Sequence, residues 1–191
     1  MFLGQTGDVP IPGDYDGDGK TDPAIYRPSL GLFFAVLSGG GTLNTRFGQA
    51  GDVPVPSDYD GDGKTDAAVY RPSTSGQALW YAQLSGGGVY QANNGTTGDV
   101  PVPADYNGDG HADPLVFRTS SGLWTGPYNG TAGTYQGTLG QAGDVPIPGY
   151  YDSNLSADRA IYRPSSGTWL ATLSCPSARR FRPQTRTARL A

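Results

Sequence analysis

Apolar residues in this chain come in short runs in which one face of an extended strand is apolar or aromatic. Leu32-Phe33-Phe34-Ala35-Val36, Leu79-Trp80-Tyr81-Ala82 and Thr168-Trp169-Leu170-Ala171 are examples, each bounded by stretches rich in Gly, Pro, Asp and Ser. Short alternating runs between turn residues predict strands packed on one side. Thirty Gly and sixteen Pro against 36% hydrophobic residues leave no room for a helical array.

The runs recur. Gly-Asp-Val-Pro stands at Gly7, Gly51, Gly98 and Gly143, a period of about 45 residues. Each copy leads through Ile-Pro or Val-Pro into a polar nine-residue loop. An apolar segment follows, closing at Tyr26-Arg27-Pro28, Tyr70-Arg71-Pro72, Phe117-Arg118-Thr119 and Tyr162-Arg163-Pro164. A third strand aligns Phe33, Trp80, Trp124 and Trp169, and Leu43 to Gln49, Val89 to Thr96 and Thr134 to Gln141 supply a fourth. Four short strands per repeat is the size of one propeller blade, whose faces are buried only against neighbouring blades.

The fold expected is therefore all-β, a β-propeller-type repeat array of four units of about four short antiparallel strands each. The units span about 7–50, 51–97, 98–142 and 143–174 within a domain at 1–174. Residues 1–6 read as the last strand of a blade, because Phe2-Leu3-Gly4-Gln5 matches Phe47-Gly48-Gln49, and the fourth unit stops after its third strand. Either that N-terminal strand completes the fourth blade, or the chain is a piece of a longer array, and ring closure stays open. Residues 175–191, with five arginines and no alternation, read as a basic, disordered, solvated tail.

The nine-residue loops carry the chemistry. Asp14, Asp16, Asp18 and Asp22 occupy positions one, three, five and nine of a glycine-bent loop, with the backbone carbonyl of Lys20 at position seven. Alternate carboxylates converging with a carbonyl form a cage for Ca²⁺, a hard cation that takes six to eight oxygens. Asp58, Asp60, Asp62, Lys64 and Asp66 repeat the pattern. The third loop, Asp105, Asn107, Asp109, His111 and Asp113, exchanges one carboxylate for an amide and is expected to bind more weakly. In the fourth, Tyr150 replaces the first acid and both turn glycines are gone, so Asp152, Asn154 and Asp158 are expected to bind poorly or not at all. The competing reading is an Asp- and Gly-rich turn that caps itself with hydrogen bonds. Mutual repulsion among four carboxylates argues for a divalent ion instead, and Mg²⁺ fits less well because it demands tight octahedral geometry. Two or three structural Ca²⁺ sites are expected.

With Asp-x-Asp-x-Asp-Gly-x-x-Asp followed by a short apolar strand, at 14–26, 58–70 and 105–117, the chain resembles the FG-GAP, or VCBS, repeat family over residues 1–174. That family includes the seven-bladed propeller of integrin alpha subunits and some fungal lectins. The resemblance implies that each loop joins the first two strands of a blade and that its matched aspartates hold structural Ca²⁺. Four units in place of seven and a degraded fourth loop are the departures.

All seventeen acidic residues are Asp, the choice of a chain that needs short carboxylates in turns. Net charge is −4, and setting aside the five tail arginines leaves the body at about −9, which argues against a nucleic-acid partner. One acid and one base open and close each unit: Asp8 with Arg27, Asp52 with Arg71, Asp99 with Arg118 and Asp144 with Arg163. A repeated bridge is expected, with Arg chosen for its bidentate fork.

With Glu absent, a single histidine in a metal loop and every Asp assigned to the repeat, nothing remains for acid/base catalysis, and no enzyme is expected. Cys175 alone sets no disulfide framework, and no apolar run is long enough to span a bilayer. A chain without a signal peptide is expected to be a fragment or a processed form.

The function expected is an extracellular, calcium-stabilised binding or adhesion module, secreted or at the cell surface, with a carbohydrate or protein ligand. A homo-oligomer is expected if the ring is completed between chains. Candidate ligand residues are Trp80, Tyr81, Trp124 and Tyr128, although the register of Trp80 and Trp124 with Phe33 also fits a core role. The alternatives are a structural spacer or scaffold and a non-catalytic accessory propeller of a polysaccharide-degrading enzyme.

Overall fold

A computed structural model describes residues 3–174 and the backbone of 187–189. The described elements are all strands, and none is a helix able to cross a membrane. They form two compact units, residues 1–97 and 98–191.

In the first unit, β1 (Val9–Pro10), β2 (Ala24–Arg27), β3 (Leu32–Val36) and β4 (Thr42–Arg46) form one antiparallel sheet in chain order. β5 (Val53–Pro54), β6 (Ala67–Arg71), β7 (Leu79–Gln83) and β8 (Val89–Asn93) form the next. The second unit repeats the plan with β9 (Asp99–Pro101), β10 (Val116–Arg118), β11 (Leu123–Pro127) and β12 (Thr134–Thr138). Its last sheet holds β13 (Val145–Pro146), β14 (Arg159–Arg163), β15 (Thr168–Thr172) and β16 (Thr187–Arg189). Four up-and-down sheets in sequence order are the blades of a propeller-type array.

Strand register sets the core. Each second strand pairs with its third so that one aromatic couple faces across: Tyr26 with Phe33, Tyr70 with Trp80, Phe117 with Trp124 and Tyr162 with Trp169. Their ring centroids lie 4.8, 5.1, 5.2 and 5.6 Å apart, within range for tilted and edge-on packing. Within the first unit, Tyr15, Phe33 and Ala35 of one blade close over Ala67 and Val69 of the next. Within the second, Tyr106, Phe117 and Trp124 do the same with Ala157 and Ile161. Small and β-branched residues, Ala67 and Val69 in the first unit and Ala157 and Ile161 in the second, let the preceding blade's aromatics approach. Backbone bonds reinforce the seam: the Thr65 N–H donates to the Asp14 carbonyl, and the Ala157 N–H to the Asp105 carbonyl, both at 2.6 Å.

Two expectations about the ends are corrected. Residues 3–6 form no strand; instead the Gln5 N–H donates to Asp8 Oδ2 and the Asp8 N–H to the Gln5 carbonyl, so the chain enters through a capped turn. Met1 and Phe2 lie outside the described residues. The strand beside β15 is β16, drawn from the stretch read as a disordered tail, with Leu170 opposite Arg189 and Thr172 opposite Thr187. A strand edge recruits any extended backbone, and main-chain pairing leaves little trace in side-chain pattern. The tail expectation for 175–186, 190 and 191 lies outside the described residues.

The four expected Asp–Arg bridges all form, and all are bidentate. Arg27 Nε and Nη2 donate to the two oxygens of Asp8, both at 2.8 Å, and Arg71 reaches Asp52, Arg118 Asp99 and Arg163 Asp144 in the same way. Each links the start of a blade's first strand to the end of its second, so the tie lies within a blade. The Arg163 guanidinium holds Asp144 below the usual carboxylate range, and Arg27 does the same for Asp8. The Asp52 side chain is 1% exposed and that of Arg71 31%. Arg71→Ala strands a buried carboxylate while leaving a partly wet site, a cost of about 2 kcal/mol. Calorimetry should show the melting temperature fall by roughly 4–8 °C. Arg71→Lys should recover only part of this, because a point charge replaces a fork, and an unchanged melting temperature in Arg71→Ala would mean that the bridge contributes nothing.

Candidate metal centre

Each loop between the first two strands of a blade is framed by its last acid. Asp22 is fully buried and accepts from the Tyr15 N–H at 2.9 Å and from the Ser38 N–H at 2.6 Å. Asp66 takes Tyr59 and Ser85, Asp113 takes Tyr106 and Asn129, and Asp158 takes Tyr151 and Ser174. This carboxylate ties the start of the loop to the turn after the blade's third strand. The second loop residue adds an anchor, since the Tyr15, Tyr59, Tyr106 and Tyr151 hydroxyls donate to the carbonyls of Ile11, Val55, Val102 and Ile147. These tyrosines and the turn residues Ser38 and Ser85 belong to the site and were not singled out from sequence. Their signal was there, an identical register in successive repeats.

The first acid shapes the loop. Asp14 Oδ1 accepts from the Gly17 N–H at 2.7 Å and Oδ2 from the Gly19 N–H at 2.8 Å, and both glycines hold positive φ, 79° and 82°. Asp58 does the same with Gly61 and Gly63. The turn after β3 then closes over the loop: the Gly39 N–H donates to Asp16 Oδ2 at 2.8 Å and the Ser38 hydroxyl to Asp18 Oδ2 at 2.7 Å. A Cβ on Gly39 would stand 2.7 Å from Asp16 Oδ2, so a larger residue there would push that carboxylate aside.

Among the described residues, two groups bring carboxylate oxygens within 4.8 Å of one another, Asp14 with Asp16 and Asp18, and Asp58 with Asp60 and Asp66. Both are able to hold a metal ion. In the second loop, Asp60 Oδ1 is buried without a hydrogen-bond partner. A carboxylate oxygen shielded from water and facing other acids is what a cation ligand looks like, since the ion supplies the missing partner.

The remaining predicted positions are arranged differently. Lys20 Nζ sits 2.8 Å from Asp18 Oδ2 on an exposed arm, and the Lys20 and Lys64 N–H groups donate to Asp18 and Asp62. Asp62 Oδ2 accepts from the Ser85 hydroxyl. In the third loop, Asp105 accepts from Gly108 and Gly110, and Asp109 Oδ1 accepts from the His111 N–H. Asn107 donates from its amide to Asp109 and Thr131. In the fourth, Tyr150 is 59% exposed, Asp152 accepts from the Asn154 N–H, and Asn154 turns its amide to Ser174.

Two candidate ligand residues are corrected. Trp80 and Trp124 are 1% and 0% exposed, and their indole N–H groups donate to the Asn94 and Leu139 carbonyls. They are core residues and offer no stacking face. Tyr81 is half-buried beneath Arg71, whose Cζ is 5.0 Å from the ring centroid, and borders a groove of about 210 Å³ with Phe47, Gly48 and Val69. Tyr128 is half-buried edge-on to Tyr135. A second groove of about 190 Å³ lies between the first two blades, lined by Tyr15, Leu43, Thr45, Thr65, Gln83 and Ser85 among others. In the second unit the position of Ala67 belongs to Arg159, whose guanidinium lies over the Tyr135 ring at 4.9 Å. Trp169, grouped with the core tryptophans by register, is 45% exposed.

Residues 58–116 match the family model described as FG-GAP-like repeat, a stretch that runs from the first acid of the second loop into β10. Comparison with curated proteins gives no match. Among solved structures, the chain is similar to a catalytically inactive virginiamycin B lyase from Staphylococcus aureus with quinupristin, at 9% identity and a TM-score of 0.56. The match covers 90% of this chain and 54% of that one, so the chain spans about half the length of the structure it resembles. At that identity the likeness concerns the fold alone.

Burial pushes Asp66 up to about 6, and the Asp60 and Asp58 charges add to the rise against the opposing N–H bonds of Tyr59 and Ser85. Asp113 is likewise raised to about 6, first by burial. In metal-free protein the folded chain therefore keeps protons on these groups up to about pH 6, whereas an unfolded Asp releases its proton near 4. Stability from these groups is full below about pH 4 and is lost as pH rises through about 6. Chelated protein should melt higher at pH 5 than at pH 7, and millimolar divalent cation should shrink that difference by holding Asp66 ionised. Equal slopes with and without cation would exclude Asp66 from a metal site.

Proposed function

We propose that this chain is a calcium-stiffened propeller-type binding module that acts outside the cell and performs no catalysis. The buried, unpartnered Asp60 oxygen among Asp58 and Asp66 carries the calcium assignment. Oxygen-only ligands in a flexible, glycine-turned loop favour Ca²⁺ over Mg²⁺, and Ca²⁺ sites of modest affinity stay filled at extracellular concentrations. Asp14, Asp16 and Asp18 would hold one ion and Asp58, Asp60 and Asp66 another. The ion would neutralise charge that the loop, clamped by the turn after the third strand, holds in one place.

Recognition is assigned to the grooves of the first unit. The 190 Å³ groove sets Tyr15 and Leu43 beside the Thr45, Thr65 and Ser85 hydroxyls, the Gln83 amide and the Asp66 carboxyl, a mixture of apolar wall and hydrogen-bonding groups that suits a sugar or a polar side chain of a protein partner. The absence of Glu and the engagement of His111 with Asp109 support a non-catalytic reading.

Calcium should raise the melting temperature, and chelator should lower it. At a hundredfold excess over its dissociation constant, each site contributes about 2.7 kcal/mol. Asp60→Asn should remove about half of the shift, and a chelator-insensitive melt would end the calcium reading. A glycan array probed with calcium-loaded protein tests recognition. A signal that Gln83→Ala abolishes without altering the melt supports the groove, and a blank array together with no captured protein leaves the scaffold role standing.

A further inference from the structure

The seam between the two blades of a unit follows one plan. In the first unit the loop residue Tyr15 and the third-strand Phe33 are buried against Ala67 and Val69 of the next blade. In the second unit Tyr106 and Trp124 are buried in the same way against Ala157 and Ile161. The fourth blade carries the same face and leaves it open. Tyr151, the counterpart of Tyr15, is 44% exposed, and Trp169, the counterpart of Phe33, is 45% exposed; Leu173, the counterpart of Leu37, is exposed as well. The face is formed all the same: the Tyr151 hydroxyl donates to the Ile147 carbonyl as Tyr15 does to Ile11, and Trp169 packs on Tyr162. Stacked repeats bury such faces only against a neighbour, and a repeat that caps a stack turns a polar face outward. Two aromatic rings and a leucine are not a cap.

The seams also show what fits this face. The backbone bond from the eighth loop residue is common to both, but the room left for that residue's side chain differs. At Gly13, just before the first loop, a Cβ would stand 2.7 Å from the Thr65 hydroxyl of the next blade, so glycine there admits threonine at the eighth position. The third blade carries Ala104 at that place and meets Ala157. The fourth has glycine again, Gly149, where the nearest atoms to a Cβ belong to Tyr151 of its own loop, at 3.1 to 3.3 Å. Its match is a blade with threonine at the eighth position, and the first and second blades have one. Thr65 is already seated on Gly13. Thr21 and Pro23, which stand on the first blade where Thr65 and Ala67 stand on the second, are both exposed.

We propose that the open face of the fourth blade seats the first blade of a second copy of this chain, with Thr21 over Gly149 and Pro23 beside Tyr151 and Trp169. The contact is head to tail: its two surfaces differ, and each chain offers one of each. It extends the blade seam of a single chain to a pair of chains, and it requires neither the calcium sites nor the grooves.

Sedimentation velocity on the full chain over a concentration series tests this. The native protein should pass from one chain to assemblies of two or more as concentration rises. Trp169→Glu spoils the fourth-blade face and Thr21→Tyr the first-blade face. Both residues are exposed in the single chain, so each variant should melt like dilute native protein and lose the association. Mixed in equal amounts, the two variants should regain a dimer, because Thr21→Tyr keeps an intact fourth-blade face and Trp169→Glu an intact first blade. A native chain that stays monomeric at every concentration would overturn the proposal. So would a Thr21→Tyr variant that associates like the native chain, which would mean that the apolar face pairs with itself, and so would a mixture that stays monomeric.

Discussion

A buried carboxylate that accepts two backbone N–H groups is the interaction on which every repeat depends. Asp22, Asp66, Asp113 and Asp158 are each 0–1% exposed, and each gathers one N–H from its own loop and one from the turn after the third strand. A carboxylate so placed would be costly without its donors, and with them it fixes two irregular segments that no sheet ladder reaches. It persists in the fourth repeat, where the first acid and the glycines are lost. The frame therefore stands without a metal: the loop is closed by hydrogen bonds, and that closure survives in the fourth repeat.

The two readings of an Asp- and Gly-rich turn overlap in one loop, since Asp14, Asp58 and Asp66 accept backbone N–H groups and also stand in the carboxylate groups that could hold an ion. The first and last acids cap and clamp, through bonds to Gly17, Gly19, Tyr15 and Ser38. The third position, Asp16 or Asp60, adds the charge that the proposed cation would neutralise. Asp–Arg forks finish each blade at its other end by joining the entry turn to the close of the second strand. A blade thus has a polar fastening at both ends and an aromatic couple between them, which compensates for strands of only two to five residues.

Much of this was legible in the sequence because the repeat writes it several times. Period, strand order, the Asp–Arg partners and the loop acids all appear at fixed offsets. Residues whose partners come from another part of the fold were harder to place. Ser38 and Gly39 look like an ordinary strand end until the turn is seen to close on Asp16 and Asp18. Trp80 and Trp124 look like candidate stacking residues until their indole N–H groups are found on backbone carbonyls. Register equated Trp169 with them, but burial depends on what covers a face. β16 was invisible for a different reason: Thr187 to Arg189 pair through main-chain atoms, and alternation of side chains does not record that.

Within each unit, the seam between its two blades includes a bond from the eighth residue of the second loop, whose N–H meets the first carbonyl of the loop before it. In the first unit that residue is threonine and in the second alanine, so the bond is blind to the side chain. The two repeats of a unit are joined by a main-chain coupling that does not depend on the loop side chains. A repeat could exchange its loop acids by mutation and still seat against its neighbour within the unit, so loops are free to drift in chemistry one at a time. The loops are graded along the chain, from a full set of acids at residue 14 to a tyrosine at residue 150.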